Sequence, residues 1–158
     1  MVSGRHPPVK ATRARWWTLP RRVVIVGNSD CDVSGVQSTM LKTVPELVAE
    51  ARTHLRCVDA TTAMAEIRAN GGTIVDVREP VEVSNLAAPR SVHIPRGILE
   101  MKIGEAVPDA GHPLYLHCAT GGRATLAAQQ LVNMGYENVS VVTCPANTVA
   151  EVQATFVD

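Results

Sequence analysis

Aromatic residues are scarce in this chain of 158 residues: one Phe, two Tyr and two Trp, 3% in all. A core must therefore be assembled from Val, Ile, Leu, Ala and Met. Hydrophobic residues make up 46% of the chain, enough to exclude global disorder. No long apolar run exists. The longest strongly apolar one, Val23 to Val26, is far short of the roughly 20 residues a membrane-spanning helix needs, so no membrane partner is expected. Cysteine is also sparse. Cys31, Cys57, Cys118 and Cys144 form no C-x-x-C pair, which argues against a disulfide scaffold and a zinc site. Free thiols in a cytoplasmic protein are the expectation, with no metal and no cofactor. The length fits one domain plus a modest extension.

Net charge is absent as well, with 15 Lys+Arg against 15 Asp+Glu, but the zero hides a split. Residues 1–39 carry six bases and two acids, a net +4, and residues 40–158 carry the opposite net charge. The basic stretch includes Arg5-His6-Pro7-Pro8 and Trp16-Trp17. Its composition suits contact with nucleic acid or an acidic partner, or a targeting peptide. It shows neither a helical nor an alternating period, so residues 1–39 read as a basic, disordered N-terminal extension and no nucleic-acid partner is expected. Residues 40–158 read as the folded domain.

From Met40 onward the signals become orderly. Thr43-Val44-Pro45-Glu46 is a capping box with a Pro in the first turn, and Leu47, Val48, Ala51 and Leu55 follow at helical spacing. This predicts a helix over 44–54. A short strand at Cys57-Val58, a helix over 60–69 capped by Asp59 and stopped by Gly71-Gly72, and a buried strand over 73–77 follow. Further strands are predicted over 91–94, 114–117 and 139–142, and helices over 97–106, 123–134 and 147–156. Short apolar strands alternating with helices predict an α/β domain: a mainly parallel sheet of about five strands flanked by helices.

The strand at Leu114-Tyr115-Leu116-His117 runs directly into Cys118-Ala119-Thr120-Gly121-Gly122-Arg123, and a helix follows. Ligands of α/β sheets bind beyond the carboxyl ends of the strands, where this Cys stands. Gly121 and Gly122 allow successive N–H groups to converge, the helix adds the positive end of its dipole, and Arg123 adds a charge. The combination predicts a nucleophilic thiolate in an anion-binding cradle. His117 precedes Cys118 on a strand and so should face the opposite side of the sheet, as a core histidine. Cys144 is a candidate resolving thiol.

These residues resemble the single-domain rhodaneses, the thiosulfate sulfurtransferase family. Asp76-Val77-Arg78-Glu79-Pro80-Val81-Glu82 is similar to the family signature D-V-R-E-P-x-E. Val92-His93-Ile94-Pro95-Arg96-Gly97 is similar to x-N-I-P-R-G, Cys118 to Arg123 to the active-site loop, and Asn133 to Val139 to L-x-x-x-G-Y-x-N-V. The sequence departs from the family at three places. Only the Pro of G-H-I-P-G-A survives in Leu86 to Ser91, Ala119 stands where an Arg often follows the catalytic Cys, and Thr143 to Asn147 replaces a closing G-G-x-x-x-W.

The resemblance implies a rhodanese-like fold and a sulfurtransferase. A sulfane sulfur moves from thiosulfate, or from a protein persulfide, to a thiol or cyanide through a persulfide on Cys118. The loop N–H groups of residues 119–123 would stabilise the transferred sulfur. Arg123 either orients the donor's anionic end or pairs with a carboxylate below the loop. Asp76, Arg78 and Glu82 are expected as structural support, with Asp76 accepting loop N–H bonds and Arg78 paired to Glu82 one turn along. Two other readings are a non-catalytic binding or sulfur-carrier module and a Cys-dependent phosphatase or arsenate reductase. The latter families place five residues between Cys and Arg, against four here.

Overall fold

A computed structural model describes residues 41–156. The expected basic extension and Cys31 lie outside the described residues. The capping box forms as predicted: Thr43 Oγ1 accepts the Glu46 N–H, and the Glu46 carboxylate accepts the Thr43 N–H at 2.7 Å. It opens α1 (Val44–Arg52), which ends two residues before the predicted bound. The chain continues through β1 (Arg56–Val58), α2 (Ala60–Asn70) and β2 (Thr73–Asp76). Asp59 caps α2 by accepting the Thr62 N–H, and Gly71 closes it in the left-handed conformation.

The segment after β2 holds an element that the sequence reading did not contain. Pro80–Asn85 forms a short helix, α3. The signals for it lie inside the D-V-R-E-P-V-E stretch: Pro80 is in its first turn, and the Glu82 carboxylate accepts the Glu79 N–H at 2.9 Å. Next come β3 (Val92–His93), a 3-10 turn over Arg96–Ile98, and α4 (Leu99–Ala106). The helix predicted over 97–106 is thus a tight turn followed by two turns of α-helix. β4 (Leu114–His117), α5 (Gly122–Asn133), β5 (Val139–Val142) and α6 (Ala146–Thr155) complete the domain.

The five strands form one parallel sheet in the order β1-β5-β4-β2-β3. Two-residue periodicity divides its side chains between two cores. Leu114, Leu116 and Cys118 face a cluster that includes Val75, Val77 and Val141, together with Ala124, Ala127, Ala128 and Leu131 of α5. Tyr115 and Ile74 face the other cluster, with Ala63 and Met64 of α2 and Val149 of α6. Each fully buried Leu contributes about 1.5–3 kcal/mol. With β4 central and pinned from both faces, the residue leaving its carboxyl end has a fixed direction. That residue is Cys118.

Candidate active site

Cys118 is 1% exposed and points to the α5 side of the sheet. Its Sγ accepts two backbone N–H groups, from Gly121 at 3.2 Å and from Ala124 at 3.4 Å. Ala124 lies one residue beyond the loop named from the sequence. The N–H groups of Ala119, Thr120, Gly122 and Arg123 donate to no atom among the described residues. The loop thus turns two donors onto the sulfur and leaves four more of its N–H groups without an acceptor among the described residues, at the positive end of a helix of 12 residues.

Gly121 makes this turn. Its φ of +86° is left-handed, and a Cβ there would stand 3.0 Å from Arg52 Nη2 and 3.3 Å from Thr143 Cα. Thr125 ties the turn to α5 by donating from Oγ1 to Gly121 O at 2.7 Å. Thr125 Oγ1 accepts in turn from Arg52 Nε, at the end of α1, at 3.2 Å. The start of α6 holds the other side, where Ala146 N donates to Ala119 O at 3.1 Å. Arg52, Ala124 and Thr125 escaped the sequence reading. Arg52 is a basic residue in a helix's last turn, 73 positions from Thr125, and no local signal connects them.

Arg123 takes the second of its two expected roles. Its Nη1 and Nη2 donate to the two Glu82 carboxylate oxygens at 2.6 and 2.7 Å, with both side chains about one third exposed. Hydrogen bonds from Arg123, with the Glu79 N–H in support, hold the Glu82 carboxyl down to about 2. The expected Arg78–Glu82 pair does not form, because α3 turns Glu82 toward the Cys118 loop. Arg78 instead clasps Asp76. Its Nε and Nη2 donate to the Asp76 carboxylate at 3.0 and 2.6 Å, and Nη2 reaches Leu86 O at 2.9 Å.

Asp76 accepts no N–H of the Cys118 loop. It alternates with Val75 and Val77, and so faces the side of the sheet opposite Cys118. Burial pushes its carboxyl up, but the Arg78 hydrogen bonds and the neighbouring His117 outweigh burial, and the carboxyl lies below its ordinary value. The Asp76–Arg78 pair is fully buried and, through Leu86 O, anchors both ends of α3, the helix that carries Glu82. Of these three residues, Glu82 contacts the loop directly, at Arg123, while Arg78 bonds Asp76 and Leu86 O.

His117 is buried on the far face, as strand alternation predicts. Its Nε2 lies 3.0 Å from Ser91 Oγ and 3.6 Å from Asp76 Oδ2, and burial pushes it down to about 4 against the pull of Asp76. Cys144 packs against the α2–α6 cluster, where its Sγ accepts the Ala60 N–H at 3.3 Å, so the structure does not bring it to Cys118. Cys57, Cys118 and Cys144 are free thiols. No helix among the described residues is long and apolar enough to cross a membrane.

A parallel α/β sheet that delivers a cysteine into a glycine-turned loop at a helix N-terminus defines a thiol-centred α/β domain. The sequence model of the rhodanese-like domain family matches residues 59–144, more than half of the chain, and the chain belongs to that family. The thiosulfate:glutathione sulfurtransferase of Saccharomyces cerevisiae is 33% identical over 79 residues, 43% of this chain. The match spans 57% of that relative's length. A protein of unknown function from Rhodopseudomonas palustris, described as a possible tyrosine phosphatase, superposes with a TM-score of 0.60. It is 25% identical, over 74% of this chain and 96% of its own. The polysulfide-sulfur transferase homodimer of Wolinella succinogenes shares the fold, with a TM-score of 0.55 and 24% identity over 66% of this chain and 80% of its own.

Proposed function

We propose that the protein is a sulfurtransferase that carries a sulfane sulfur on Cys118. The Cys118 thiolate attacks the outer sulfur of thiosulfate, the sulfur–sulfur bond of the donor breaks, and sulfite leaves with the bonding pair. A thiolate or cyanide then attacks the terminal sulfur of the resulting persulfide and releases Cys118 as a thiolate. One observation carries this reading: two backbone N–H groups bond Sγ, and the same loop holds four more N–H groups with no acceptor among the described residues, available to a second, anionic sulfur. The loop as a whole, Ala119 to Arg123, is the persulfide-binding element in this reading. The yeast relative's name supports thiosulfate as donor and a low-molecular-weight thiol as acceptor. A protein persulfide is the alternative donor, and the cytoplasm, where thiols stay reduced, is the proposed location.

The phosphatase reading is weaker. The loop that ends in Arg123 has four residues between Cys and Arg rather than five, and both terminal nitrogens of that loop arginine are engaged by Glu82. A steady-state assay with thiosulfate as donor, and glutathione or cyanide as acceptor, tests the proposal. Turnover that vanishes in Cys118→Ser supports it. Turnover that survives in that variant refutes the assigned nucleophile, and a folded wild type inert toward both thiosulfate and persulfide donors would leave the domain a binding module.

A further inference from the structure

The cations near the Cys118 loop are paired with carboxylates, with one exception. Arg123 is held by Glu82 and Arg78 by Asp76. Arg52 has no carboxylate partner among the described residues. Its Nε is engaged by Thr125 Oγ1, which fixes the guanidinium against the loop, and the residue is solvent-exposed. Nη2 lies 3.0 Å from where a Gly121 Cβ would stand, and Gly121 N is 3.2 Å from Cys118 Sγ. Backbone dimensions then place Nη2 within about 9 Å of the sulfur.

We infer that Arg52 binds the anionic part of the sulfur donor. The sulfonate of thiosulfate carries its charge one bond away from the sulfur that is transferred, so a receptor for it needs a second positive element outside the persulfide cradle. The loop itself offers none: Ala119 is uncharged, and Arg123 is neutralised by Glu82. Arg52 supplies it from another helix, with its two terminal nitrogens free to donate in the planar pair that suits sulfonate or carboxylate oxygens. Thr125 and the end of α1 hold it in place. The site therefore favours anionic donors over neutral ones. Naming the anion as a sulfur donor rests on the sulfur-transfer reading, whereas the placement of the charge does not.

The test uses two alkylating reagents of similar size, anionic iodoacetate and neutral iodoacetamide, with modification of Cys118 followed by peptide mass. At low ionic strength Arg52→Gln should lower the iodoacetate-to-iodoacetamide rate ratio at Cys118 about fivefold, and added salt should shrink the wild-type ratio toward that of the variant. Arg52→Lys should retain most of the preference. In the sulfur-transfer assay, Arg52→Gln should raise the KM for thiosulfate far more than it lowers kcat. An unchanged ratio in Arg52→Gln overturns the inference. So does an equal slowing with both reagents accompanied by a lower melting temperature, which would assign Arg52 only to holding Thr125. If the wild type takes up no sulfur from any donor, the proposed function falls, and the alkylation ratio still decides whether Arg52 attracts anions to Cys118.

Discussion

Acidification should destabilise this domain through His117. The imidazole is fully buried, and only Nε2 has a hydrogen-bond partner, Ser91 Oγ, while Nδ1 is buried without one. A proton added to the ring would therefore place a charge in a buried site where Nδ1 has no hydrogen-bond partner. Burial accordingly pushes the group down to about 4 from its ordinary 6.5. Between those pH values the unfolded chain binds a proton that the folded chain excludes, so stability increases with pH across this window. The contribution is fully present above the unfolded value and is lost as the pH falls toward the folded one. At 1.36 kcal/mol per unit, moving from about pH 7 to about pH 4.5 should remove about 2.5 kcal/mol. Urea denaturation would register this as a midpoint about 1–2 M lower. His117→Gln should flatten the profile over the same range. A midpoint that stays constant from pH 7 to pH 4.5, or a slope that survives in His117→Gln, would refute the reasoning.

Two other substitutions follow from the loop and its support. Gly121→Ala forces a side chain into left-handed backbone and against Thr143, which should cost about 2–3 kcal/mol in urea melts and slow alkylation or sulfur loading of Cys118 by moving the N–H donors; a variant with wild-type stability and reactivity would contradict the loop geometry. Asp76→Asn leaves the Arg78 guanidinium buried without its counter-charge and should cost about 3–5 kcal/mol. A loss below 1 kcal/mol in that variant would show that the pair is not the anchor of α3.

The architecture was largely legible because it rests on local signals. The capping box at Thr43, the Asp59 cap with its Gly71 stop, and the apolar strands around Val75, Leu116 and Val141 each act within a few residues. Strand alternation alone placed Cys118 and His117 on opposite faces, and the structure agrees. The errors came where a side chain's partner is set by a turn. Arg78 and Glu82 stand at helical spacing, yet Arg78 lies before α3 begins and reaches back to Asp76, while α3 carries Glu82 to Arg123, 41 positions away. Helix α3 itself has fewer than two turns and buries no residue, so periodicity had little to detect. The strand order and the approach of Arg52 to the loop depend on how α1 packs on α5, which no spacing in the sequence records.

The central claim is that Cys118 carries the transferred sulfur, and intact mass tests it most directly. Wild-type protein treated with thiosulfate should gain one sulfur atom, localised by peptide mass to Cys118, and should lose it on addition of cyanide. Cys118→Ser should gain none and should melt within about 1 kcal/mol of wild type, since the hydroxyl oxygen can still accept from the Gly121 and Ala124 N–H groups. A cyanide-labile sulfur that persists in a folded Cys118→Ser would contradict the claim.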